Sequence, residues 1–209
     1  PGSVTSIGSY AFLKCTGLTT ITIPDTIISI KDEAFSYCSG LSSITIPGSV
    51  ENLGDNLFTN CNALSEISVF GEGENLKMVG DVLFHKDMTR IVWCSPEKSG
   101  SYEIPRTTKT IDSCAFESHR NLTSVTIPDS VTKIPMYAFN GCHCLETVEI
   151  PCSVTSIDKY AFSECKGLIS ITLPKSITYI SEGLFSNCTG LTSIVIPDSV
   201  TKIGRRAFY

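Results

Sequence analysis

Cysteine and histidine are the side chains of this chain best suited to metal binding or nucleophilic chemistry, and it has ten cysteines and three histidines. Six cysteines share one position of a 23-residue repeat: Cys15, Cys38, Cys61, Cys142, Cys165 and Cys188. A residue that recurs once per repeat beside phenylalanine and leucine is best explained as a small apolar core group, a role that cysteine fills well. We therefore predict that these six are buried thiols, without disulfides or metal.

The other four cysteines offer little support for a metal site. They are Cys94, Cys114, Cys144 and Cys152, and the one tight cluster of Cys and His is Cys142-His143-Cys144. A structural zinc site needs four converging ligands at characteristic spacing, and the sequence contains no such set. We predict neither a metal nor any other cofactor. The redox state of these four cysteines stays open.

Catalysis by a nucleophile requires a base held beside it. His85, His119 and His143 occupy three different contexts, and His119 takes the repeat position that cysteine fills elsewhere. Glu146 and Glu149 are three apart on a predicted strand, where regular alternation places them on opposite faces, so a two-carboxylate hydrolase site is disfavoured. There is no glycine-rich phosphate loop. We predict that the chain is not an enzyme.

An internal repeat sets the elements that carry these residues. Prolines mark its period of 23 residues within two runs: Pro1, Pro24, Pro47, and then Pro105, Pro128, Pro151, Pro174 and Pro197. Aligned from each proline, seven complete units follow the pattern P-x-S-V-T-x-I-x-x-x-A-F-x-x-C-x-x-L-x-x-I-x-I. A repeat of this length indicates stacked structural units.

The apolar positions of the repeat form columns. One column is Phe12, Phe35, Phe58, Phe116, Phe139, Phe162, Phe185 and Phe208, and another is Ile7, Ile30, Leu53, Ile111, Ile134, Ile157, Ile180 and Ile203. A single unit cannot enclose its own apolar face, whereas stacked units bury each column continuously. We predict one domain over residues 1–209, with regular repeats at 1–69 and 105–196, an irregular long repeat at 70–104 and a partial repeat at 197–209.

Each unit combines two kinds of predicted local structure. The segment L-x-x-I-x-I alternates with period two and is rich in β-branched residues, which predicts a strand, and V-T-x-I predicts a shorter extended stretch. We expect A-F-x-x-C to form a turn of helix whose Phe and Cys face inward. The predicted fold is therefore a β-rich α/β repeat solenoid with a parallel sheet and short helical turns.

Residues 70–104 interrupt the repeat. Val82-Leu83-Phe84, residues 85–89 and Arg90-Ile91-Val92-Trp93 have the pattern of strand, turn and strand, which predicts an inserted β-hairpin. Its aromatic residues, Trp93 above all, could anchor a ligand, because aromatic anchors are typical of binding hot spots. The alternative is that Trp93 packs the hairpin against the solenoid.

The repeat pattern resembles the BspA-like class of leucine-rich repeats over nearly the whole chain, and the irregular unit with Val79-Gly80-Asp81-Val82-Leu83-Phe84 is similar to one often found in that class. The resemblance implies a right-handed superhelix with a parallel sheet, in proteins exported to the surface of bacteria and some protozoa. It also implies a role as an adhesin or host-protein binder, although the partner does not transfer with the fold.

The outward positions of the predicted strands carry hydroxyl groups in rows. The candidate ligand-binding residues are Thr20, Thr22, Ser43, Thr45, Glu66, Ser124, Thr126, Thr147, Glu149, Ser170 and Thr172, together with Trp93. A rigid field of donors and acceptors could bind a protein or a glycan. The alternative is that threonine merely suits a solvated strand.

Composition and charge restrict the possible partners. The net charge is -5 and no cluster of Lys and Arg is present, which disfavours nucleic acid as a partner. No apolar run approaches the length of a membrane span. The first residues, Pro1-Gly2-Ser3-Val4, do not have the pattern of a signal peptide, and we expect a segment of a longer exported protein.

We predict a non-enzymatic recognition or adhesion module, secreted or at the cell surface. It binds a protein, or a glycan, of a host or a neighbouring cell through the strand-side sheet. The alternative is a structural spacer within a larger surface protein.

Overall fold

The computed structural model describes residues 2–71 and 75–209. The chain forms two compact units, Pro1–Ser95 and Pro96–Tyr209. Most coils contribute a long strand from L-x-x-I-x-I and a short, two-residue strand from V-T-x-I. Within the described residues no helix reaches the length and apolarity that a bilayer crossing requires.

The first unit contains two parallel sheets and one antiparallel sheet. Its strands are β1 Ser6–Ile7, β2 Thr20–Thr22, β3 Ser29–Ile30, β4 Ser43–Pro47, β5 Asn52–Leu53, β6 Glu66–Phe70, β7 Leu76–Val79, β8 Val82–His85 and β9 Arg90–Cys94. The long strands pair in parallel in the order β2-β4-β6, and the short strands pair in the order β1-β3-β5. The register advances by one repeat per strand, so Ile21, Ile44 and Ile67 are in line. The predicted stacking of parallel strands is confirmed.

The second unit repeats this arrangement. Its strands are β10 Gly100–Glu103, β11 Thr110–Ile111, β12 Leu122–Thr126, β13 Lys133–Ile134, β14 Thr147–Glu149, β15 Ser156–Ile157, β16 Tyr179–Ile180 and β17 Lys202–Ile203. The long strands pair in parallel as β10-β12-β14, and a single bridge joins Thr172 to Val195 farther along. The short strands pair as β13-β15 and β16-β17. The handedness of the coils stays a prediction.

The predicted turn of helix at A-F-x-x-C is wrong, because no helix occurs among residues 2–71 and 75–209. In the coil around Phe139, the amides of Phe139 and Gly141 donate to Ala161 and Ser163 of the next coil, both at 2.9 Å. The amide of Asn140, between them, closes a tight turn on the Tyr137 carbonyl at 3.1 Å. A helix needs every amide for its own i-4 carbonyl, so alternate bonds to a neighbouring coil exclude it. The fold is a β-solenoid.

Left-handed backbone at two positions per coil makes these turns possible. The position before Ala has positive φ in Tyr10, Glu33, Asn56, Cys114, Tyr137, Tyr160, Gly183 and Arg206, and the position before the column cysteine has it in Lys14, Tyr37, Asn60, Ser118, Gly141, Glu164 and Asn187. Such a conformation costs about 1 kcal/mol or more for a residue with a side chain. The hydrogen bonds between coils offset that cost, so the stacking imposes the local conformation.

The phenylalanine column forms a stack of rings through the core of each unit. Phe35 lies between Phe12 and Phe58, with ring centroids 5.1 and 6.0 Å away. In the second unit, Phe139 is fully buried and lies 5.0 Å from Phe116 and 5.4 Å from Phe162. The rings are nearly parallel because every coil places its phenylalanine at the same point. Burial of this column supplies much of the hydrophobic stabilisation.

The predicted hairpin is confirmed, with one more strand than expected. Strands β8 and β9 pair antiparallel around the turn at residues 86–89, and β7 pairs antiparallel with the other edge of β8. Leu83 and Trp93 belong to the core of the first unit, with exposures of 0% and 6%. Residues 76–94 of the irregular repeat thus form a packed three-stranded meander.

Candidate functional site: the strand faces

The strand face of the first unit carries the predicted hydroxyl rows. Thr20 of β2 is in register with Ser43 of β4 and Glu66 of β6. Thr20 and Glu66 are exposed, and Ser43 is half-buried. The second row joins Thr22, which is exposed, to the half-buried Thr45 and to Ser68. These side chains are therefore accessible and evenly spaced, since parallel strands lie about 4.8 Å apart.

Ser68 is a member of this face that the sequence analysis missed. Its hydroxyl donates to Glu66 Oε1 at 3.1 Å, which restrains that carboxylate at the edge of the row. The strand pattern could have identified it, because Ser68 lies two residues after Glu66 and therefore shares its face.

The strand face of the second unit is more acidic. One row is Ser101, Ser124 and Thr147, and the next is Glu103, Thr126 and Glu149. The Thr126 hydroxyl donates to Glu149 Oε2 at 3.2 Å. The candidates Ser170 and Thr172, at the equivalent repeat positions of the following coil, are also exposed. Sequence reasoning missed Ser101 and Glu103, because β10 lies within the irregular repeat.

A shallow depression of about 340 Å³ lies where these strands end. Glu103, Arg106, Thr126, Asp129 and Ser130 contribute to its lining. It combines carboxylate, guanidinium and hydroxyl groups, which suits a ligand that both donates and accepts hydrogen bonds.

The strand alternation assumed for the two glutamates does not apply, because Glu146 precedes β14 and Glu149 ends it. Both carboxylates are exposed. They lie on an open surface and not in the enclosed cleft that small-molecule sites usually occupy. Their positions fit a recognition surface.

The hairpin is not the aromatic anchor considered from sequence. Phe84, Ile91, Val92 and Trp93 have exposures of 0, 0, 5 and 6%. Both faces of the hairpin are buried, so the indole of Trp93 has little surface to offer a ligand. The packing alternative therefore accounts for Trp93, and we do not retain it as a ligand-binding candidate.

The tip of the hairpin is exposed but polar. Asp87 Oδ1 accepts hydrogen bonds from the Thr89 hydroxyl at 2.7 Å and the Thr89 amide at 3.0 Å. His85 Nδ1 lies 3.2 Å from the same oxygen. The bonds from Thr89, with a smaller contribution from His85, lower the pKa of Asp87 to about 2. Asp87 thus orders the tip as a carboxylate at neutral pH.

The repeated cysteines have a more specific role than apolar filling. All ten cysteines carry thiols rather than disulfides. Five column thiols donate to the carbonyl of the phenylalanine in the preceding coil at 2.9 to 3.2 Å: Cys38, Cys61, Cys142, Cys165 and Cys188. Most of these carbonyls also accept the amide of the cysteine of their own coil, as Phe12 accepts from Cys15 at 3.0 Å, so the thiol is a second, weak donor as well as a group of small volume.

The stacked thiols also affect each other's ionisation. A hydrogen bond with the Cys142 thiol, together with burial, holds the pKa of Cys165 well above the ordinary value. The Cys165 thiol and burial raise the pKa of Cys188 in the same way. Burial is the main cause of the raised pKa of Cys38. These thiols remain protonated where an ordinary cysteine ionises, and a thiol reacts through its thiolate.

We expect an aromatic disulfide reagent at pH 8 to modify Cys15, Cys144 and Cys152 quickly, because these three are exposed. Cys188, which is half-buried, should react more slowly than these three, and the buried column cysteines should react only on unfolding: Cys38, Cys61, Cys142 and Cys165. Peptide mass mapping of the modified sites against time is the measurement. Rapid labelling of Cys142 or Cys165 in the folded protein would contradict the buried ladder.

The three histidines do not come together. His85 is at the hairpin tip, His119 is buried with its ring 5.7 Å from that of Phe116, and His143 Nε2 lies 4.0 Å from Glu164 Oε2 at the surface. Within the part of the chain that the structure describes, no three His, Cys, Asp or Glu side chains are grouped so that they could hold a metal ion.

The sequence matches the family profile described as the BspA type leucine rich repeat region, in six copies over residues 1–95 and 93–209. A search among proteins with curated descriptions gives no match.

Several solved bacterial structures are similar in fold. The pneumococcal vaccine antigen PcpA aligns with a TM-score of 0.85 and 28% identity, over 99% of this chain and 53% of that one. A leucine rich cell surface protein of Faecalibacterium prausnitzii A2-165 aligns with a TM-score of 0.74 and 32% identity, over 93% and 57%. A leucine-rich repeat protein of Bacteroides ovatus aligns with a TM-score of 0.58 and 29% identity, over 96% and 49%.

The chain therefore spans about half the length of these three proteins. The same 23-residue repeat accounts for the phenylalanine column, the cysteine column and the stacked parallel strands. Because the profile covers both units, the chain belongs to the BspA-type leucine-rich-repeat family.

Proposed function

We propose that the chain is a non-enzymatic recognition module of a bacterial surface protein, and that it binds a protein or glycan partner through the strand faces. The observation that carries the proposal is the accessible rows of hydroxyl and carboxylate groups held in register, such as Thr20, Ser43 and Glu66. Neighbouring coils fix these groups at constant spacing, so little conformational entropy is lost when they bind.

The surface location is supported by similarity to a protein that is described as a leucine rich cell surface protein. A role in recognition is supported by the family, whose repeats present extended surfaces. We expect the partner to be a component of a host or of a neighbouring cell.

The charge of the first unit restricts the kinds of partner that it can bind. That unit has 10 acidic and 5 basic residues, whereas the second has 11 of each, so the entire net charge of -5 is in the first unit. A polyanion would be repelled by the first unit, which supports a protein or an uncharged glycan in preference to nucleic acid.

The test is binding of the purified chain to an array of extracellular-matrix proteins, serum proteins, cell-surface proteins and glycans. Thr45→Lys and Thr126→Lys, one per strand face, should reduce binding by roughly tenfold for the unit that makes the contact, the effect of a misplaced charge at the centre of an interface. Thr189→Lys is the matched control, because Thr189 is exposed in a turn outside both sheets.

Each threonine variant should keep its free energy of unfolding within about 0.5 kcal/mol, as expected of surface positions. Binding that survives both strand-face changes would place recognition elsewhere. Failure to bind any component of the array would favour the spacer role.

A further inference from the structure

A groove of about 430 Å³ lies on the short-strand side of the second unit. Met136 and Ile157 provide apolar lining, and Ile157 is only 2% exposed, so it forms part of the floor. Thr155, Ser156 and Thr178 add hydroxyl groups. The volume falls within the range of small-molecule sites, roughly 300 to 1,000 Å³.

Two side chains make this groove different from the same region of other coils. Tyr179 takes the repeat position of Ser29, Asn52 and Ser156. Met136 takes the position of residues that are polar in the other seven coils: Ser9, Asp32, Asp55, Ser113, Lys159, Glu182 and Arg205. A repeat scaffold acquires specificity where it departs from its own pattern, because the regular positions are the same in every coil.

The ring of Tyr179 is held in place while remaining 38% exposed. The Lys202 ammonium lies 5.5 Å from the ring centroid, which is a cation–π distance. The tyrosine hydroxyl lies over Gly204 of the next coil, where a Cβ would approach it to 2.7 Å. A side chain at position 204 would also meet the backbone nitrogen of Glu182 at 2.6 Å, so the glycine allows close packing of both the backbone and the tyrosine. The ring is thus restrained by its neighbours before a ligand binds.

The charged groups of the groove are already paired. The Asp158 carboxylate lies 2.8 Å from the Lys133 ammonium, and the Lys159 ammonium lies 2.9 Å from the Glu182 carboxylate. Hydrogen bonds from Lys159 and from the Tyr160 hydroxyl lower the pKa of Glu182, which keeps this pair ionised. The groove thus offers a ligand an aromatic ring and alcohol groups, while these charged side chains are paired with each other.

From this combination we infer that the groove binds an uncharged sugar residue of a glycan. The apolar C–H face of the sugar packs against Tyr179, and its hydroxyl groups exchange hydrogen bonds with Thr155, Ser156 and Thr178. An anionic sugar is not favoured, because Lys133 and Lys159 are paired with carboxylates and the Lys202 ammonium lies over the Tyr179 ring. The site is separate from the strand face and does not depend on the function proposed for that face.

The test is titration of the chain with chitotriose, cellotriose and lactose, followed by saturation-transfer NMR, with a heparin-derived tetrasaccharide and a mixed tripeptide library as alternative ligands. At least one neutral sugar should bind, and Tyr179→Ala should weaken it by roughly tenfold or more, the usual effect of truncating an aromatic anchor. Tyr179→Phe keeps the ring and should change the affinity by less than about threefold, because the sugar packs against the ring and not against the hydroxyl, which lies over Gly204.

Two controls separate this site from others. Tyr37→Ala removes a tyrosine of the first unit that is 43% exposed, and Thr126→Lys alters the strand face. Neither should affect sugar binding. The inference is overturned if no neutral sugar binds, if the anionic sugar or the peptides bind in preference, or if Tyr179→Ala leaves the affinity unchanged in a protein whose circular dichroism is native.

Discussion

Replacing Phe139 by alanine should lower the free energy of unfolding by about 3 to 5 kcal/mol, the usual cost of emptying a buried aromatic site. The ring is fully buried and has a phenylalanine stacked on each side, at 5.0 and 5.4 Å. The alanine variant loses the buried apolar area of the ring. It also leaves a cavity, so Phe116 and Phe162 lose their contacts with the ring. Urea unfolding followed by circular dichroism measures the change.

Phe208→Ala is the matched control, because Phe208 occupies the same column but is 43% exposed. It contacts one ring of the column, that of Phe185, at 5.6 Å. The expected loss is about 1 to 2 kcal/mol, in proportion to the smaller area withdrawn from water. A loss below about 1 kcal/mol for Phe139→Ala would contradict the shared core column, because a ring buried on both sides cannot be removed at so small a cost.

The columns could be predicted because they depend on period alone. A period of 23 places Phe116, Phe139 and Phe162 at equivalent points whatever the local conformation, and stacking then follows from the need to bury them. The outward strand residues, such as Thr20 and Thr22, could be identified for a similar reason, since alternation on a strand assigns every second residue to the solvent.

The turns could not be predicted, because the signal for left-handed backbone is usually glycine or asparagine. Here Tyr137 and Glu164 adopt positive φ with ordinary side chains. Their conformation is imposed by hydrogen bonds to the next coil, which are long-range in sequence. A helix was the better prediction from local propensity, and tertiary contacts overrode it.

The groove beside Tyr179 was missed for a different reason. Averaging the units into one pattern emphasises what they share and hides the single coil that differs. Tyr179 was visible in the sequence as a tyrosine in a column of serine, asparagine, threonine and lysine. Its significance depends on Gly204, Lys202 and Met136, which come from other coils and lie beside it only after stacking.

The repeated cysteines were predictable in part: the burial of most of them follows from the sequence, but their hydrogen bonds do not. Their recurrence predicted burial correctly for Cys38, Cys61, Cys142 and Cys165. The prediction was wrong for Cys15, which is exposed, and Cys188 is only half-buried, because these two lie in coils near the ends of the described stacks. The donation to the phenylalanine carbonyl spans 26 residues, three more than the repeat, so the bond joins different positions of successive coils. An alignment of equivalent positions cannot reveal such a contact.

Arg90 joins the antiparallel meander to the last regular coil of the first unit. Its guanidinium donates to the carbonyls of Leu53 and Gly54 at 3.0 and 3.1 Å. In regular coils the equivalent of the Leu53 carbonyl accepts a backbone amide of the next coil, as Ile30 accepts from Gly54 at 2.7 Å. Arg90 thus replaces an amide that the irregular repeat does not supply.

Arg90→Met should therefore destabilise the first unit by about 1.5 to 3 kcal/mol, the contribution of hydrogen bonds that involve a charged donor. Methionine retains an apolar stem, so the change isolates the guanidinium. Differential scanning calorimetry of the purified variant and of the parent chain measures the change in the free energy of unfolding.

Asp55→Asn separates the carbonyl bonds from the ion pair that Arg90 also makes, at 3.2 Å. The Asp55 side chain is 80% exposed, and exposed ion pairs contribute about 0 to 1 kcal/mol, so this variant should change stability little. Equal losses for Asp55→Asn and Arg90→Met would show that the ion pair, and not the replacement of a backbone amide, accounts for the role of Arg90. A large loss for Arg90→Met alone means that one side chain completes the hydrogen bonding at the edge of a solenoid coil, which is how a unit with an irregular repeat keeps its stacking.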